Sequence, residues 1–303
     1  MHIAFILEKI ADAFRRWFIV PRRERQFARL TDDIQHRTRD GLWFMLRPGD
    51  LISREVFLNG LYERPFLMFA KNHLRKQRTM LDVGANVGNH SIFLSRIFKH
   101  ICAFEPNPTA LGYLHSNKKR NQSENLTIYE VGLGREDAAI PFLEDHDGNL
   151  GKSQFVHEKD QEQTGGTLPT LPIKNGDKLV QKNAIENIDF IKIDVEGFEP
   201  DVLAGLGETI SKHRPVIAFE FHGQDQGTDA YEALEALLPG YKFYEPFFWL
   251  EPGWSVWQKI SYRLRHGQTP RLKEIGVPEL RTYENIIALR DENQVSDVLF
   301  ETA

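Results

Sequence analysis

The sequence predicts an α/β protein built on a doubly wound, mostly parallel sheet. Three observations carry this expectation. Short apolar runs alternate with helical stretches from Thr79 to Leu238. Four of those runs end on an acid, at Asp82, Glu105, Asp194 and Glu220. The first run enters its helix through a glycine-spaced turn, Asp82-Val83-Gly84-Ala85-Asn86-Val87-Gly88.

The elements follow in order. Ile3, Ile6, Leu7, Ile10, Phe14, Trp17 and Phe18 recur at helical spacing, so an amphipathic helix opens the chain and Pro21 stops or kinks it. Arg15, Arg16, Arg22, Arg23, Arg25 and Arg29 crowd the same stretch. Such a helix either rests on an anionic membrane or packs on its own domain or a second subunit. Gly41 to Leu46 reads as a strand, Arg47-Pro48-Gly49-Asp50 as a turn, and Glu63 to Arg75 as a helix. The regular alternation then begins. Strands are expected at 79–83, 100–105, 126–131, 188–194 and 215–221, and helices at 89–98, 109–121, 200–211 and 229–238. Residues 145–170 are polar, rich in glycine and without period, which predicts a mobile loop or irregular hairpin. Tyr241–Phe248 and Tyr283–Leu289 add two strands around an aromatic and basic insert. The expected division is a helical extension over 1–40, a β segment and helix over 41–78, and the main domain over 79–303 with the insert at 246–280.

Composition bounds the function. The 303 residues are 41% hydrophobic and 27% charged, as in a folded globular protein. The net charge of -5 gives no general attraction to nucleic acid, and none is expected as a partner. Cys102 is the only cysteine, which excludes an internal disulfide and a thiolate metal cluster. No stretch approaches the ~20 apolar residues of a membrane span. Glu8, Lys9 and Asp12 interrupt any signal-peptide core. A cytoplasmic protein is therefore expected, with any membrane contact on the cytoplasmic face, through residues 1–30 and 246–271.

The glycine turn carries the chemistry. Glycines let a backbone turn tightly and approach a ligand, and the helix start beyond offers free N–H groups to a carboxylate. The spacing Gly84-x-x-x-Gly88 is not the G-x-G-x-x-G of nicotinamide enzymes, and no Gly-Lys-Ser/Thr triplet follows as in a phosphate loop. An acid at the strand end suits a cationic ligand. S-adenosylmethionine has a carboxylate, an ammonium and a sulfonium, and no phosphate. Glu105 follows Asp82 by 23 residues, the spacing at which an acid reaches ribose hydroxyls.

DVGANVG, FEPNP and IKIDVEGFE in this order resemble the FkbM-type methyltransferases, a branch of the class I S-adenosylmethionine-dependent enzymes. The resemblance runs from about Gly60 to Phe221, supported by Gly60-Leu61-Tyr62-Glu63, Asn117, Asn121 and Val131-Gly132-Leu133-Gly134. It implies a Rossmann-like fold with an antiparallel last strand, and methyl transfer to a hydroxyl of a sugar, glycan or secondary metabolite. Carried over, Asp82, Gly84, Asn86 and Gly88 would wrap the methionine part and Glu105 the ribose. Asn107 and Gly132 would lie near the adenine. Tyr62 and Glu63 would close over the cofactor, with a solvated acid as the alternative for Glu63.

The acceptor side draws on Asp194, Glu220 and His222, and Asp194, expected to point toward the transferred methyl, also counts with the cofactor residues. An oxygen nucleophile must lose its proton, and His222 is the best base by its ordinary pKa. The same three residues would alternatively hold Mg2+. Lys192 shares the strand face of Asp194 and reads as its partner. His90 reads as a packed residue at the helix start. Phe247 to Trp257, followed by Lys259, Arg263, Arg265 and Arg271, reads as a lid over a glycan or phosphate-bearing acceptor, a membrane contact, or a packing surface of a homodimer or within the domain. Alternatives of a different class are a cofactor-binding scaffold without activity and a membrane-associated adaptor.

Overall fold

A computed structural model describes residues 19–143, 154–155, 168–247, 269–276, 279 and 281–302, with the backbone alone for 154–155 and 224–230. The apolar face from Ile3 to Phe18, most of the 145–170 segment and the insert from Trp249 to Arg265 lie outside the described residues. Among the described residues, no helix is long and apolar enough to cross a membrane.

The first helix among the described residues is α1 (Val20–Phe27). Pro21 sits in its first turn. Phe27 packs on Phe57, and the Arg23 guanidinium lies over the same ring, so part of the basic face is turned onto its own domain. Strands β1 (Ile34–Arg37) and β2 (Trp43–Leu46) pair antiparallel. The expected helical extension to residue 40 is thus corrected: its end is a strand, turned by Gly41 at φ 75°. Asp50 accepts from the Ser53 N–H and caps α2 (Leu51–Asn59), a helix the sequence reading missed. Helix α3 spans Arg64–His73.

The main sheet then forms from β3 (Thr79–Val83), β4 (His100–Phe104) and β5 (Leu126–Tyr129), joined by α4 (Asn89–Leu94) and α5 (Pro108–Asn121). A second sheet interrupts. Its strands β6 (Gly132–Gly134), β7 (Ala138–Leu143), β8 (Gln154–Phe155) and β9 (Thr170–Asn175) lie in the order β6-β9-β7-β8. Part of the stretch expected to be irregular is therefore paired. β9 alternates exposed and buried residues, the period of a half-buried strand. Helix α6 (Gly176–Lys182) leads into β10 (Ile188–Ile193). The single helix expected at 200–211 is two, α7 (Glu199–Gly205) and α8 (Gly207–His213). Gly205 allows the break to seat against β6, since a Cβ there would meet the Gly134 carbonyl oxygen at 1.9 Å. The chain closes with β11 (Val216–His222), α9 (Gly223–Leu237), β12 (Lys242–Phe247), β13 (Arg271–Glu274), β14 (Thr282–Leu289) and β15 (Leu299–Glu301).

The nine-stranded order is β15-β13-β12-β14-β11-β10-β3-β4-β5. The five strands from β11 to β5 run parallel, and β14 returns antiparallel beside β11. Strands β3 and β10 are buried along their whole length, as expected for a sheet covered on both faces. One face packs on Val56, Phe66, Ile92 and Leu114, and the other on Val202, Leu203, Ile210 and Leu234. The chain leaves β3 toward β4 and returns to β10 on its other side, so the strand order reverses between β3 and β10. Ligands of such sheets bind beyond the carboxyl ends at that switch point. Asp82, Glu105, Asp194 and Glu220 lie at those ends.

Candidate active site

The glycine turn after β3 is built mainly by its own protein. Gly84, Asn86 and Gly88 all have positive φ, at 82°, 49° and 87°. A Cβ on Gly84 would meet the Asp194 carbonyl, and one on Gly88 would meet Leu114 Cδ1 at 2.5 Å. These glycines admit neighbouring protein as much as a ligand, which corrects the first reading. Most of the turn's N–H groups are also engaged. Those of Gly84 and Ala85 donate to the Phe104 carbonyl, that of Asn86 to Glu105 Oε2, and that of Gly88 to the Ala85 carbonyl. Asn86 Oδ1 is buried without a partner.

Glu105 braces the turn. Its Oε2 accepts from the Asn86 N–H and its Oε1 from the Asn107 N–H, each at 2.8 Å. Burial pushes its carboxyl up to about 7, against those two hydrogen bonds. Asn107 caps α5 by accepting from the Thr109 N–H. Asn117 donates to the Val87 carbonyl and accepts from the Met45 N–H, while Asn121 clamps Trp43 from both sides. The two asparagines thus tie the β1–β2 hairpin to the glycine turn. Asp82 lies beneath, 1% exposed, where it accepts from Ser91 Oγ. Burial pushes its carboxyl up, partly offset by His90, Ser91 and Lys192. As placed, Asp82 supports the start of α4.

Residues 60–63 strap the turn from the other side. The Tyr62 N–H donates to Asn89 Oδ1 and Asn89 Nδ2 donates back to the Tyr62 carbonyl, both at 3.0 Å. Glu63 is not a solvated acid. Its Oε2 meets His90 Nε2 at 2.9 Å and its Oε1 accepts from Asn285 Nδ2 at 2.5 Å. Burial would raise this carboxyl, but the Lys192 charge and the His90 and Asn285 hydrogen bonds hold it down at about 2. His90 is a packed partner, as its position suggested.

Lys192 is the centre of charge. It is fully buried, its Nζ lies 3.3 Å from Asp194 Oδ2, and Glu63, Glu220 and Asp82 add to its field. Burial works against the ammonium, yet those four acids raise its pKa. Beyond β10 the loop carries Glu196 at φ 51° and Gly197 at φ 98°. Glu199 closes it, its Oε1 accepting from the Val195 and Gly197 N–H groups. Glu196 then meets the end of β11. His222 Nε2 lies 3.3 Å from Glu220 Oε1 and 4.0 Å from Glu196 Oε2, and Nδ1 lies 3.4 Å from Thr282 Oγ1.

This geometry corrects the expected acceptor set. Among the described residues, the group able to share one ion is Glu196, Glu220 and His222, with ligand atoms within 4.8 Å of one another. Asp194 turns to Lys192 instead. His222 is also not a free base at neutral pH: the Glu220 hydrogen bond and the nearby acids outweigh burial and push it up to about 9. Burial, with Asp194 and Glu220, pushes Glu196 up to about 8. Gly132 sits in β6, in register with Ile173 of the second sheet. Arg271, counted with the basic insert, is buried in β13 beside Glu301 and Phe247. Glu196 was visible within the Asp194–Glu199 run but was passed over. Asn285 and Thr282 gave no signal, because only the antiparallel return of β14 brings them here.

The donor set fits an adenosyl cofactor with a cationic centre. Glu105, at the end of β4, is the buried acid beside this turn. A sequence model of the Methyltransferase FkbM domain matches residues 82–243. Methyltransferase 1 of Beauveria bassiana is 27% identical over 176 residues, covering 52% of this chain and 68% of its own. Hexuronic acid methyltransferase AglP of Haloferax volcanii is 29% identical over 141 residues, covering 46% and 54%. The 2-O-methyltransferase NoeI of Sinorhizobium fredii is 26% identical over 183 residues, covering 55% and 74%. The chain belongs to the FkbM methyltransferase domain family and is an S-adenosylmethionine-dependent methyltransferase.

Proposed function

We propose that this methyltransferase acts on a hydroxyl oxygen of a sugar, glycan or related polyol. The observation that carries the reading is the gathering of Glu196, Glu220 and His222 at the strand ends beside the glycine turn. When bound, S-adenosylmethionine supplies a methyl group made electrophilic by its sulfonium. As the acceptor oxygen takes that methyl, its proton must leave, and the protein must receive it. The His222–Glu220 pair is the receiver: loss of the imidazolium proton leaves a base that Glu220 keeps aligned. Asp82, Gly84, Asn86, Gly88, Glu105 and Asn107 form the cofactor side, with Glu63 holding the strap over it. Proximity then does most of the work, since a held nucleophile needs only the last proton transfer. The relatives named for hexuronic acid and for 2-O-methylation support a hydroxyl acceptor.

One observation favours a second reading of the same trio. Two carboxylates and an imidazole on one side of an open site match the donors of a divalent cation, Mg2+ included, which would lower the hydroxyl pKa in place of a base. Transfer of labelled methyl to a panel of sugars tests the main reading, and no transfer to any sugar by cofactor-bound protein overturns it. Mn2+ binding followed by electron paramagnetic resonance tests the second. It predicts a site in the wild type that Glu196→Gln weakens.

A further inference from the structure

Helix α1 has two faces. Arg23, Glu24 and Phe27 turn to the domain, where Phe27 packs on Phe57, Arg23 lies over the same ring and Glu24 pairs with Arg54. Ile19, Arg22, Arg25 and, just past the helix, Arg29 lie on the other side and are exposed. Glu24, the one acid of the helix, is thus spent on the domain and does not mask these arginines. The exposed large hydrophobics among the described residues are Ile19, at 41%, and Leu51, at 44%. Phe57 beside Phe27 and Arg54 beside Glu24 set α2 alongside α1 in the same direction, so Leu51 lies at the end where Ile19 enters α1.

Helical spacing relates this exposed face to the apolar stripe of the sequence before it. Leu7, Phe14 and Phe18 fall in line with Arg22, Arg25 and Arg29, three, four or seven residues apart. The line leads to the outward arginines and not to the side on which Phe27 is buried, which argues against packing of the stripe on its own domain. Charge argues against a second copy. Residues 1–30 hold seven Lys and Arg against three Asp and Glu, while the whole chain carries -5. A paired copy would bring the same arginines to the same face. An anionic lipid surface suits both halves. Apolar side chains enter the boundary between headgroups and acyl chains, and guanidinium groups stay with the phosphates.

We propose that residues 1–29, with Leu51 beside them, dock the protein on an anionic lipid surface. None of these residues belongs to the cofactor or acceptor site, so the inference stands apart from which hydroxyl is methylated. Each arginine held near such a surface strengthens binding on the order of fivefold, and the apolar side chains make the contact more than electrostatic.

The test is flotation of the full chain with vesicles of phosphatidylcholine alone or mixed with phosphatidylglycerol, at low and high salt. Flotation is expected with the mixed vesicles, falling with salt, and weak with phosphatidylcholine alone. Arg22→Gln, Arg25→Gln and Arg29→Gln together should lower vesicle affinity by about tenfold or more, with the thermal midpoint and S-adenosylmethionine binding unchanged. Phe14→Glu with Phe18→Glu should abolish flotation although every arginine remains. A wild-type chain that stays in solution, or floats equally with neutral and mixed vesicles, overturns the inference, as does undiminished binding by the triple variant. So does a thermal midpoint lowered by Phe14→Glu with Phe18→Glu, which would put the stripe on its own domain. A dimer seen by light scattering that the same variant dissolves would put it on a second copy, and overturns the inference too.

Discussion

The Cβ that Gly84 lacks would stand 1.8 Å from the carbonyl oxygen of Asp194. The turn after β3 and the end of β10 therefore touch backbone to backbone. The Asp194 N–H, donated to the Val83 carbonyl at 3.0 Å, completes the contact. Gly84→Ala must push the two strand ends apart and also holds alanine at φ 82°. Overpacking of this kind costs roughly 1–3 kcal/mol, and the left-handed backbone adds roughly 1–2 kcal/mol. The expected result is a lower denaturation midpoint and a loss of S-adenosylmethionine binding larger than the stability loss explains. Calorimetry on protein shown to be folded by circular dichroism checks this. Unchanged affinity would mean that the strand ends do not need this contact.

The strap makes a different claim. Glu63 joins three remote segments, through His90 on α4, Lys192 on β10 and Asn285 on β14. Glu63→Gln removes the charge and leaves Lys192 less compensated in the interior. Breaking a buried pair of this kind costs about 3 kcal/mol or more. The sign with pH is fixed by the direction of the shift. A carboxyl held down at about 2 contributes stability above its unfolded value, 4.5, and that contribution is lost as pH falls from there through about 2. The wild-type advantage over Glu63→Gln should thus be full at neutral pH and shrink toward pH 2. Urea unfolding at several pH values measures it, and a constant gap would assign the loss to packing instead.

These two contacts differ in how far the sequence announced them. Gly84 sits in an apolar run that turns through spaced glycines, so its place could be read from local pattern alone. The cofactor half of the site is local in this way, since Asp82 to Gly88, Glu105 and Asn107 all lie where β3 and β4 end. Even there, the sequence could not tell that the N–H groups of Gly84, Ala85 and Asn86 are consumed internally, because that depends on Phe104 and Glu105 arriving from the next strand. Pairing across distance was illegible for the same reason. Asn285 meets Glu63 only because β14 runs back antiparallel beside β11, and the second sheet forms only because β9 finds β6 and β7. Glu196 was passed over because alternation predicts side-chain direction inside β10 and stops predicting it once the chain enters the left-handed loop.

Protonation of His222 makes the acceptor chemistry measurable. With its pKa pushed up to about 9, the imidazole is mostly protonated at neutral pH. If it takes the acceptor proton, kcat/KM should rise with pH and level off near 9. Glu220→Gln removes the hydrogen-bonding carboxylate that the shift depends on most. The limb should then move down toward the ordinary imidazole value of 6.5. His222→Ala should lose the limb altogether. His222 and Glu196 are both shifted and lie 4.0 Å apart, so the informative quantity is the displacement of the limb between variants. A profile whose limb stays in place in Glu220→Gln would exclude the pair as the proton receiver.

Lys192 makes the last prediction the most demanding. It is the buried cation against which Asp194, Glu63, Glu220 and Asp82 are all arranged. Lys192→Met keeps much of the side-chain length and the packing against Phe66, whose ring centroid lies 5.7 Å from Nζ. It leaves Glu63 and Asp82 without the cation that lowers them, so their folded pKa values rise. For acids raised in the folded state, stability is highest below their unfolded values and falls as pH increases through the shifted range. The variant should therefore approach wild-type stability near pH 4 and fall behind by roughly 3–5 kcal/mol at neutral pH. Thermal unfolding across that range reads the crossover directly. A deficit equal at both ends would show that Lys192 acts through shape, and that the acids of this site hold their charges without it.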